Sequence, residues 1–430
     1  MALKAVTSPA RRGLAAIASG AALGQVVLVA GAPILSRLYD PTAFGVFSVV
    51  NAVVLAVGTV AAFRFEMAVP LPKSDGEAHA LVRLGSVAAL AVAVLGTVLV
   101  LVSRGSLASL TGWSDDVVDL LIWAPLGAAM LGMYLVLNQL AVRRRAYSAI
   151  ALRNVLQAVA TVGAQVGLGL AGWGAVGLVI GLIAGQAAGV ASLAWSLRND
   201  LTSHDADSPA LRALVRRYRS FPLVLAPSGL INSLGMQAPL LAVTSLYGTA
   251  SAGSLGMAQR VLAIPLALIG MAISQVLMGE LAARKRDGRT DLMPVFMSVT
   301  KRLTLVGVAG GVGVLVVGPL LFATFLGQQW WTSGHMARAM AVGLLVQIIA
   351  APLSQLAIIA GKNVAQLLWD IGRLLACVLA VFVASWVGLS DVGAVWCLGV
   401  ATAASYAVSW VISRWAVRIM TVQAAAVQRP

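Results

Sequence analysis

The chain has 430 residues, of which 60% are hydrophobic and only 10% are charged. Soluble domains carry about 25% charged residues, so this composition excludes a water-soluble protein and predicts an integral membrane protein. Thirty Lys and Arg residues against fifteen acidic residues give a formal net charge of +15. In a soluble protein this excess would suggest a nucleic-acid partner, whereas in a membrane protein its meaning depends on which loops carry the charges.

Apolar runs long enough to cross a hydrocarbon core about 30 Å thick recur along the whole chain, and we interpret them as twelve membrane-spanning helices. The runs cover residues 13–36, 44–66, 84–103, 117–140, 150–171, 174–197, 222–246, 253–279, 303–325, 336–360, 364–387 and 393–413. The first run follows a basic segment, as in a signal peptide. It is longer than the apolar part of such a peptide, so we expect an uncleaved first span.

The positive charges fall into alternate connections between these runs. One side keeps only Arg37, Arg104 and Arg338. The other side carries Arg11, Arg12, Lys73, Arg143 to Arg145, Arg216, Arg217, Arg219, Arg284 to Arg286, Lys301, Arg302, Lys362, Arg414 and Arg418. The positive-inside rule then places both termini of a multi-pass protein in the cytoplasm, so most of the positive charge is explained by topology and no nucleic-acid partner is expected.

Two segments of the chain resemble each other. They are GAPILSRLYDPTAFG at 31–45 and QAPLLAVTSLYGTASAG at 237–253, which share A-P-[IL]-L, then L-Y, then a glycine six residues after the tyrosine. Six spans separate the copies, so both halves have the same orientation and the repeat is parallel. The sequence thus predicts an all-α polytopic membrane protein with two six-helix lobes related by a pseudo-two-fold axis. We expect an N-lobe at 1–200, a cytoplasmic linker at 201–221 and a C-lobe at 222–430.

Glycines recur every four residues in the sixth span, at Gly177, Gly181, Gly185 and Gly189. Such a stripe lets a neighbouring helix approach closely, and we favour packing within a lobe over a dimer face. The sequence offers no support for a metal site or a nucleophilic triad. None of the three histidines lies deep in a span, and both cysteines, Cys377 and Cys397, lie in apolar runs.

Few ionisable side chains lie inside the apolar runs, and each is costly there, so each is a candidate for function. The candidates we single out are Arg64, Glu66, Arg260, Glu280 at a span end, Asp370 and Arg373. Asp370 and Arg373 are three residues apart on one helix face, so we expect them to pair. Arg64 and Glu66 are two residues apart, so in a regular helix they would point to nearly opposite sides and each would need its own partner.

Structural interpretations of these residues stay open. Arg64 can extend to the cytoplasmic interface, Arg260 can belong to a structural pair, and the pair of Asp370 with Arg373 can serve packing alone. Five amides lie in the spans or at their ends, and they either line a wet cavity or bond between helices. They are Gln25, Asn51, Asn232, Gln237 and Gln259.

Three segments together resemble a known family. SRLYDPTAFGVFSVV at 36–50, RFEMAVPLPKSDGEA at 64–78 and AGSLGMAQRVLAIPLALIGMAISQV at 252–276 are similar to the Wzx-type oligosaccharide flippases. These belong to a superfamily that includes the multidrug and toxin extruders (MATE) and the lipid II flippase MurJ. The resemblance is weaker beyond residue 303.

The resemblance implies a function. The chain would flip a polyprenyl-pyrophosphate-linked oligosaccharide to the periplasmic leaflet by alternating access of two lobes, for the synthesis of surface polysaccharide such as O-antigen, lipopolysaccharide or exopolysaccharide. It would be a transporter and not an enzyme. The family's cationic cavity maps onto Arg260, and less directly onto Arg64 and Arg373, with the five amides as further substrate-binding candidates.

The resemblance leaves several points open. Glu66 and Asp370 are the candidates for coupling to H⁺ or Na⁺, and uniport and antiport are both open; no other cofactor is expected. Expected partners are the lipid-linked oligosaccharide, membrane lipids and polysaccharide polymerase machinery.

The alternative functions are a cation-coupled multidrug exporter, which should hold more acidic residues deep in the first lobe, and a lipid II flippase. A membrane-embedded glycan polymerase is disfavoured because the outer loops are short.

Overall fold

A computed structural model describes residues 8–202, 211–286, 293–359 and 363–427. Helices account for nearly all of these residues, and no β-strand occurs within these ranges. In chain order the helices are α1 (Ser8–Leu38), α2 (Pro41–Gly58), α3 (Asp75–Thr111), α4 (Asp115–Leu120), α5 (Ala124–Arg143), α6 (Tyr147–Leu170), α7 (Gly174–Ser196), α8 (Arg198–Thr202), α9 (Leu211–Arg217), α10 (Ala226–Arg286), α11 (Met293–Leu326), α12 (Trp331–Ile359), α13 (Asn363–Trp386) and α14 (Asp391–Val427).

The described residues contain ten helical spans that are long and apolar enough to cross a membrane, and α10 is not among them. A break at Gly248, with φ 84° and ψ 174°, divides α10 into the segments 226–247 and 249–286. Glycine adopts this conformation without the steric cost that a Cβ would bring. The two segments correspond to the predicted seventh and eighth spans. The all-α polytopic class and the twelve spans are therefore confirmed.

The second span is shorter than the sequence predicted. The apolar run continues past residue 58, but α2 ends at Gly58 and the chain then turns. Phe63 and Arg64 have φ values of 50° and 61°, in the left-handed region that non-glycine residues rarely adopt. The prediction that Arg64 and Glu66 lie in a regular helix is therefore wrong. Hydropathy reports how far the apolar chain extends and carries no signal for the end of its hydrogen-bonded helix.

Side-chain caps fix the helices on either side of this turn. Asp40 Oδ1 accepts a hydrogen bond from the Ala43 amide at 2.7 Å, and Pro41 takes the first helical position of α2. Ser74 Oγ accepts a hydrogen bond from the Glu77 amide at 3.3 Å at the start of α3. These caps define the starts of α2 and α3, and Ser74 marks the residue at which the turn at 59–74 gives way to α3.

The described residues up to Gly253 form one compact unit. The glycine stripe of α7 faces α6 inside this unit: a Cβ at Gly185 would lie 2.8 Å from Thr161 Cβ, and one at Gly181 would lie 2.9 Å from the Gln165 amide nitrogen. Such close approach requires residues without a side chain at the contact. The interpretation of the stripe as packing within a lobe is confirmed.

The described residues from Ser254 onward form a second compact unit. A Cβ at Gly343 of α12 would lie 2.8 Å from the Gly399 carbonyl oxygen of α14, so these two helices also meet through glycine. The core of α11, α12 and α14 includes Phe296, Leu303 and Leu353. The predicted lobe boundaries at residues 200 and 222 stay a prediction.

Candidate functional site

Arg64 and Glu66 form an ion pair. Arg64 Nη1 lies 3.5 Å from Glu66 Oε1, and the side chains are 22% and 5% exposed. The left-handed backbone at Arg64 leads into a single 3-10 turn at Phe65–Met67. This geometry brings together two side chains that a regular helix would separate.

The Arg64 guanidinium packs against the first segment of α10. A Cβ at Gly229 would lie 2.6 Å from Arg64 Nε and 2.8 Å from Arg64 Cζ, so a side chain at residue 229 would displace the guanidinium. One helical turn further along α10, Ser233 Oγ lies 2.7 Å from Thr59 Oγ1. The turn after α2 is thus in contact with the helix that carries Asn232 and Gln237, all within residues 3–253.

Arg143, at the end of α5, holds the other end of the turn. Its Nη1 donates a hydrogen bond to the Pro72 carbonyl oxygen at 2.7 Å, and its Nη2 donates to Asp75 Oδ1 at 2.9 Å. Arg144 Nη1 donates to Asp75 Oδ2 at 2.8 Å. The carbonyl oxygens of Pro72 and Ser74 therefore both accept hydrogen bonds from Arg143, at the end of the turn that joins α3.

Glu66 is a buried carboxylate whose side-chain oxygens accept no hydrogen bond from the described part of the chain; its polar contact there is the ion pair with Arg64. It lies in the turn between two spans. Burial raises the pKa of this carboxyl, and the nearby Arg64 charge opposes the rise. Burial therefore disfavours the ionised form of Glu66 relative to that of an exposed carboxyl.

Arg153 is a buried cation that the sequence analysis missed. It lies two turns into α6, is 7% exposed and stacks on Tyr134, with 3.3 Å from its Cζ to the ring centroid. Its Nη1 donates to Asn154 Oδ1 at 3.0 Å, and it forms no ion pair with another described residue. The predicted span began at residue 150, which placed this arginine at the membrane edge.

A spacing signal marks this part of α6. Arg153, Gln157, Thr161 and Gln165 recur every four residues and form one polar face. Gly185 and Gly189 of α7 face this stripe, since a Cβ at Gly189 would lie 3.1 Å from Arg153 Nε. The polar stripe therefore packs against the glycine stripe, and this pattern would have identified Arg153 as buried.

Asp370 and Arg373 form the predicted pair on α13. Arg373 Nη2 lies 3.5 Å from Asp370 Oδ1, and its Nη1 lies 3.3 Å from the Tyr406 hydroxyl of α14. The guanidinium also lies 5.0 Å from the centroid of the Trp369 ring. A groove of about 580 Å³ between α13 and α14 reaches this arginine and is otherwise mostly lined by small and aliphatic side chains. The positive charge of Arg373 is therefore already opposed by the carboxylate of Asp370.

Arg260 lies in the second segment of α10 and is half-buried. It forms no hydrogen bond or ion pair with any other residue in the described ranges, in contrast to Arg64 and Arg373. Four of the five candidate amides are also half-buried: Gln25 on α1, Asn51 on α2, and Gln237 and Gln259 on α10. The fifth, Asn232 on α10, is exposed. The side chain of Glu280 lies outside the described residues.

Comparisons with known proteins identify one family and a shared fold. A family model described as "Polysaccharide biosynthesis protein" matches residues 34–335. No curated protein matches the sequence significantly. Among solved structures, the chain is similar to an inward-facing multidrug resistance MATE family transporter of the MOP superfamily, with TM-score 0.62, 18% identity and coverage of 94% of this chain and 95% of that one.

Two further solved structures share the fold. Lipid II flippase MurJ in an inward closed conformation has TM-score 0.70 at 11% identity, covering 94% of this chain and 89% of its own. A MOP superfamily transporter from Pyrococcus furiosus has TM-score 0.64 at 15% identity, covering 95% and 96%. Identities this low show the shared fold alone.

Proposed function

Because the chain belongs to the polysaccharide biosynthesis protein family, we propose that it flips a polyprenyl-pyrophosphate-linked oligosaccharide from the cytoplasmic to the periplasmic leaflet of a bacterial inner membrane. It has the fold of the MATE transporters and of the lipid II flippase MurJ, which supports a transport step with no covalent reaction. Both termini are cytoplasmic in this proposal, and the flipped lipid-linked oligosaccharide is then the substrate of a polysaccharide polymerase.

One observation carries the proposal: Arg260 is a cation deep in a span with no acidic partner among the described residues. Counting about 1.5 Å per residue from Gly248, it lies about 18 Å along its helix, near the middle of the hydrocarbon core. A charge there is costly and marks a pathway or a ligand site by default. A diphosphate is the ligand that a guanidinium fits best, because its planar fork donates two hydrogen bonds to phosphate oxygens.

The physical task explains why such a group is needed. A pyrophosphate with several sugars cannot cross hydrocarbon unaided, because each unsatisfied polar group costs several kcal/mol and each charge far more. Arg260 replaces the water around the diphosphate, and the amides Gln259, Gln25, Asn51, Asn232 and Gln237 replace the water around the sugars. The lipid tail stays in the bilayer while the two lobes rock between inward and outward states.

Arg64 and Arg373 have secondary roles in this proposal. Each already has a carboxylate 3.5 Å away, so a substrate phosphate competes with a fixed acid at both positions. Arg64 becomes available when Glu66 is protonated, because the protonated carboxyl no longer attracts the guanidinium.

No ion gradient is required for export. Moving an anion out of an inside-negative cell is favourable by about 2.3 kcal/mol per charge for each 100 mV. We propose that protonation of Glu66 modulates the affinity for substrate and does not supply the main driving force.

Glu66→Gln tests this role of the carboxyl. Glutamine resembles the protonated acid, so we expect transport by the variant to be fast and insensitive to pH. Wild-type transport should fall several-fold as the pH rises through the raised pKa of Glu66, because the ionised carboxylate then holds Arg64. The measurement is the initial rate in proteoliposomes at a series of pH values. A variant that keeps the wild-type pH profile would rule Glu66 out.

Gly229→Ala tests the position of Arg64. The added methyl occupies the place of the guanidinium, so Arg64 must move away from α10. We expect transport to fall about tenfold, the equivalent of about 1.4 kcal/mol, at normal protein abundance. Gly163→Ala is the matched control, because nothing lies within 4 Å of a Cβ at that helical glycine. Equal rates in the two variants would show that the position of Arg64 does not matter.

Deletion in the native bacterium tests the substrate class. We expect a polyprenyl-pyrophosphate-linked oligosaccharide to accumulate on the inner leaflet, and mass spectrometry of the extracted lipids would identify it. Accumulation of lipid II instead would favour the MurJ-like alternative. Increased drug sensitivity with no lipid accumulation would favour a multidrug exporter.

A further inference from the structure

The two copies of the sequence repeat meet through backbone contacts at one membrane face. Gly45 of α2 lies against the Thr249 carbonyl, and Gly253 of α10 lies against the Pro41 carbonyl. A Cβ at Gly45 would lie 2.6 Å from the Thr249 carbonyl carbon, and a Cβ at Gly253 would lie 2.7 Å from the Gly45 amide nitrogen and overlap the Pro41 oxygen. All four residues belong to the compact unit at 3–253.

These contacts are reciprocal in the register of the repeat. Gly45 and Gly253 are each six residues after their tyrosine, Tyr39 and Tyr247. The carbonyls they meet, at Pro41 and Thr249, are each two residues after the same tyrosines. The glycine of each copy therefore contacts the carbonyl of the other copy, as a local two-fold relation requires.

The surrounding side chains also join these segments. Trp113 Nε1 donates a hydrogen bond to Ser245 Oγ at 2.9 Å, which links the end of α3 to α10 near its break. The break at Gly248 lies between Ser245 and Thr249, so it places the Thr249 carbonyl at the start of α2. These residues lie at the membrane face that has few positive charges, which is the periplasmic face in the proposed function.

We propose that the reciprocal contacts of Gly45 with Thr249 and of Gly253 with Pro41 form a periplasmic latch, which holds the outer side closed in this conformation and separates when the transporter opens outward. The inference rests on the proposed alternating access. Contacts between a glycine Cα and a carbonyl are weak. The latch is therefore held by close packing of the two backbones, and it can open without breaking strong hydrogen bonds. Any side chain at either glycine would hold the two segments apart.

A buried serine reports on the latch. Ser48 lies three residues after Gly45 on the same face of α2 and is 8% exposed, so Ser48→Cys places a thiol of similar size behind the latch. Ser106→Cys is an exposed control near the outer end of α3. Cys377 and Cys397 are first replaced by alanine so that the reporter is the sole thiol. A membrane-impermeant maleimide is then added from the outside.

We expect the thiol at residue 48 to react at least about tenfold more slowly than the thiol at residue 106 in the resting protein. Gly45→Ala and Gly253→Ala should each raise the rate at residue 48 by about tenfold. Thr249→Ala should leave that rate unchanged, because the contact uses the backbone carbonyl and not the side chain. Gly105→Ala is the matched glycine control, since nothing lies within 4 Å of a Cβ there.

Two results would overturn the latch. The first is a resting thiol at residue 48 that reacts as fast as the thiol at residue 106, and this comparison needs no latch variant to fold. The second is a rate at residue 48 that is the same in the folded Gly45→Ala, Gly253→Ala and Gly105→Ala proteins. The assay uses no transported lipid, so a wrong substrate assignment would leave its outcome interpretable.

Discussion

Arg260→Ala is expected to abolish transport while the protein remains folded and abundant in the membrane. The guanidinium makes no hydrogen bond or ion pair within the described ranges, so its removal leaves no buried partner unsatisfied there. Losing one desolvated contact to a diphosphate costs roughly 2–5 kcal/mol, which corresponds to a rate at least about 30-fold lower. The measurement is restoration of surface polysaccharide in a deletion strain, with protein abundance quantified in the same membranes.

Two companion variants define the role of this charge. Arg260→Lys keeps the charge but lacks the planar fork, so we expect partial activity. Arg104→Ala removes an exposed arginine that pairs with Asp119 at the surface and should retain wild-type activity. If Arg260→Ala restores polysaccharide as well as Arg104→Ala does, Arg260 does not bind the substrate.

Gly185→Leu is expected to prevent stable folding. The α6–α7 contact leaves no space at this position, because a Cβ would lie 2.8 Å from Thr161 Cβ and 2.9 Å from the Gln157 carbonyl oxygen. Inserting a larger side chain into a well-packed core costs about 1–3 kcal/mol, and more where the opposing atoms belong to the backbone. We expect the variant to be lost from the membrane or to unfold at a much lower temperature in detergent.

Gly163→Leu is the matched control for this prediction, because a Cβ at Gly163 of α6 has no neighbour within 4 Å. Its elution profile in size-exclusion chromatography should be that of the wild type. A Gly185→Leu protein with wild-type abundance and wild-type unfolding temperature would show that the α6–α7 contact is looser than the structure describes.

The sequence was sufficient to predict the fold class and the number of spans. Hydrophobic run length predicted the twelve spans, and the quoted segments led to the superfamily whose two-lobe fold the chain shares with MATE and MurJ structures. The glycine stripe and the pairing of Asp370 with Arg373 were also predictable, because helical spacing places such residues on one face. These features depend on local periodicity, which a single sequence records.

The details of the candidate site were less predictable. Arg64 and Glu66 pair because the chain leaves the helix after Gly58, and the apolar residues that follow conceal this end from any measure of hydropathy. Arg153 was missed because a shift of three residues in a span boundary moves an arginine from the interior to the interface. The contact of Arg64 with Gly229 joins residues far apart in sequence, and no local pattern encodes it.

Flipping by the purified protein tests the central claim most directly. The wild-type protein is reconstituted into liposomes that contain a polyprenyl-pyrophosphate-linked oligosaccharide, and the fraction of head groups accessible to an external glycosidase is followed with time. We predict that protein-containing vesicles expose the initially protected head groups, and that vesicles with Arg260→Ala do not. A protected fraction that stays as constant with the wild-type protein as in protein-free vesicles would contradict the account.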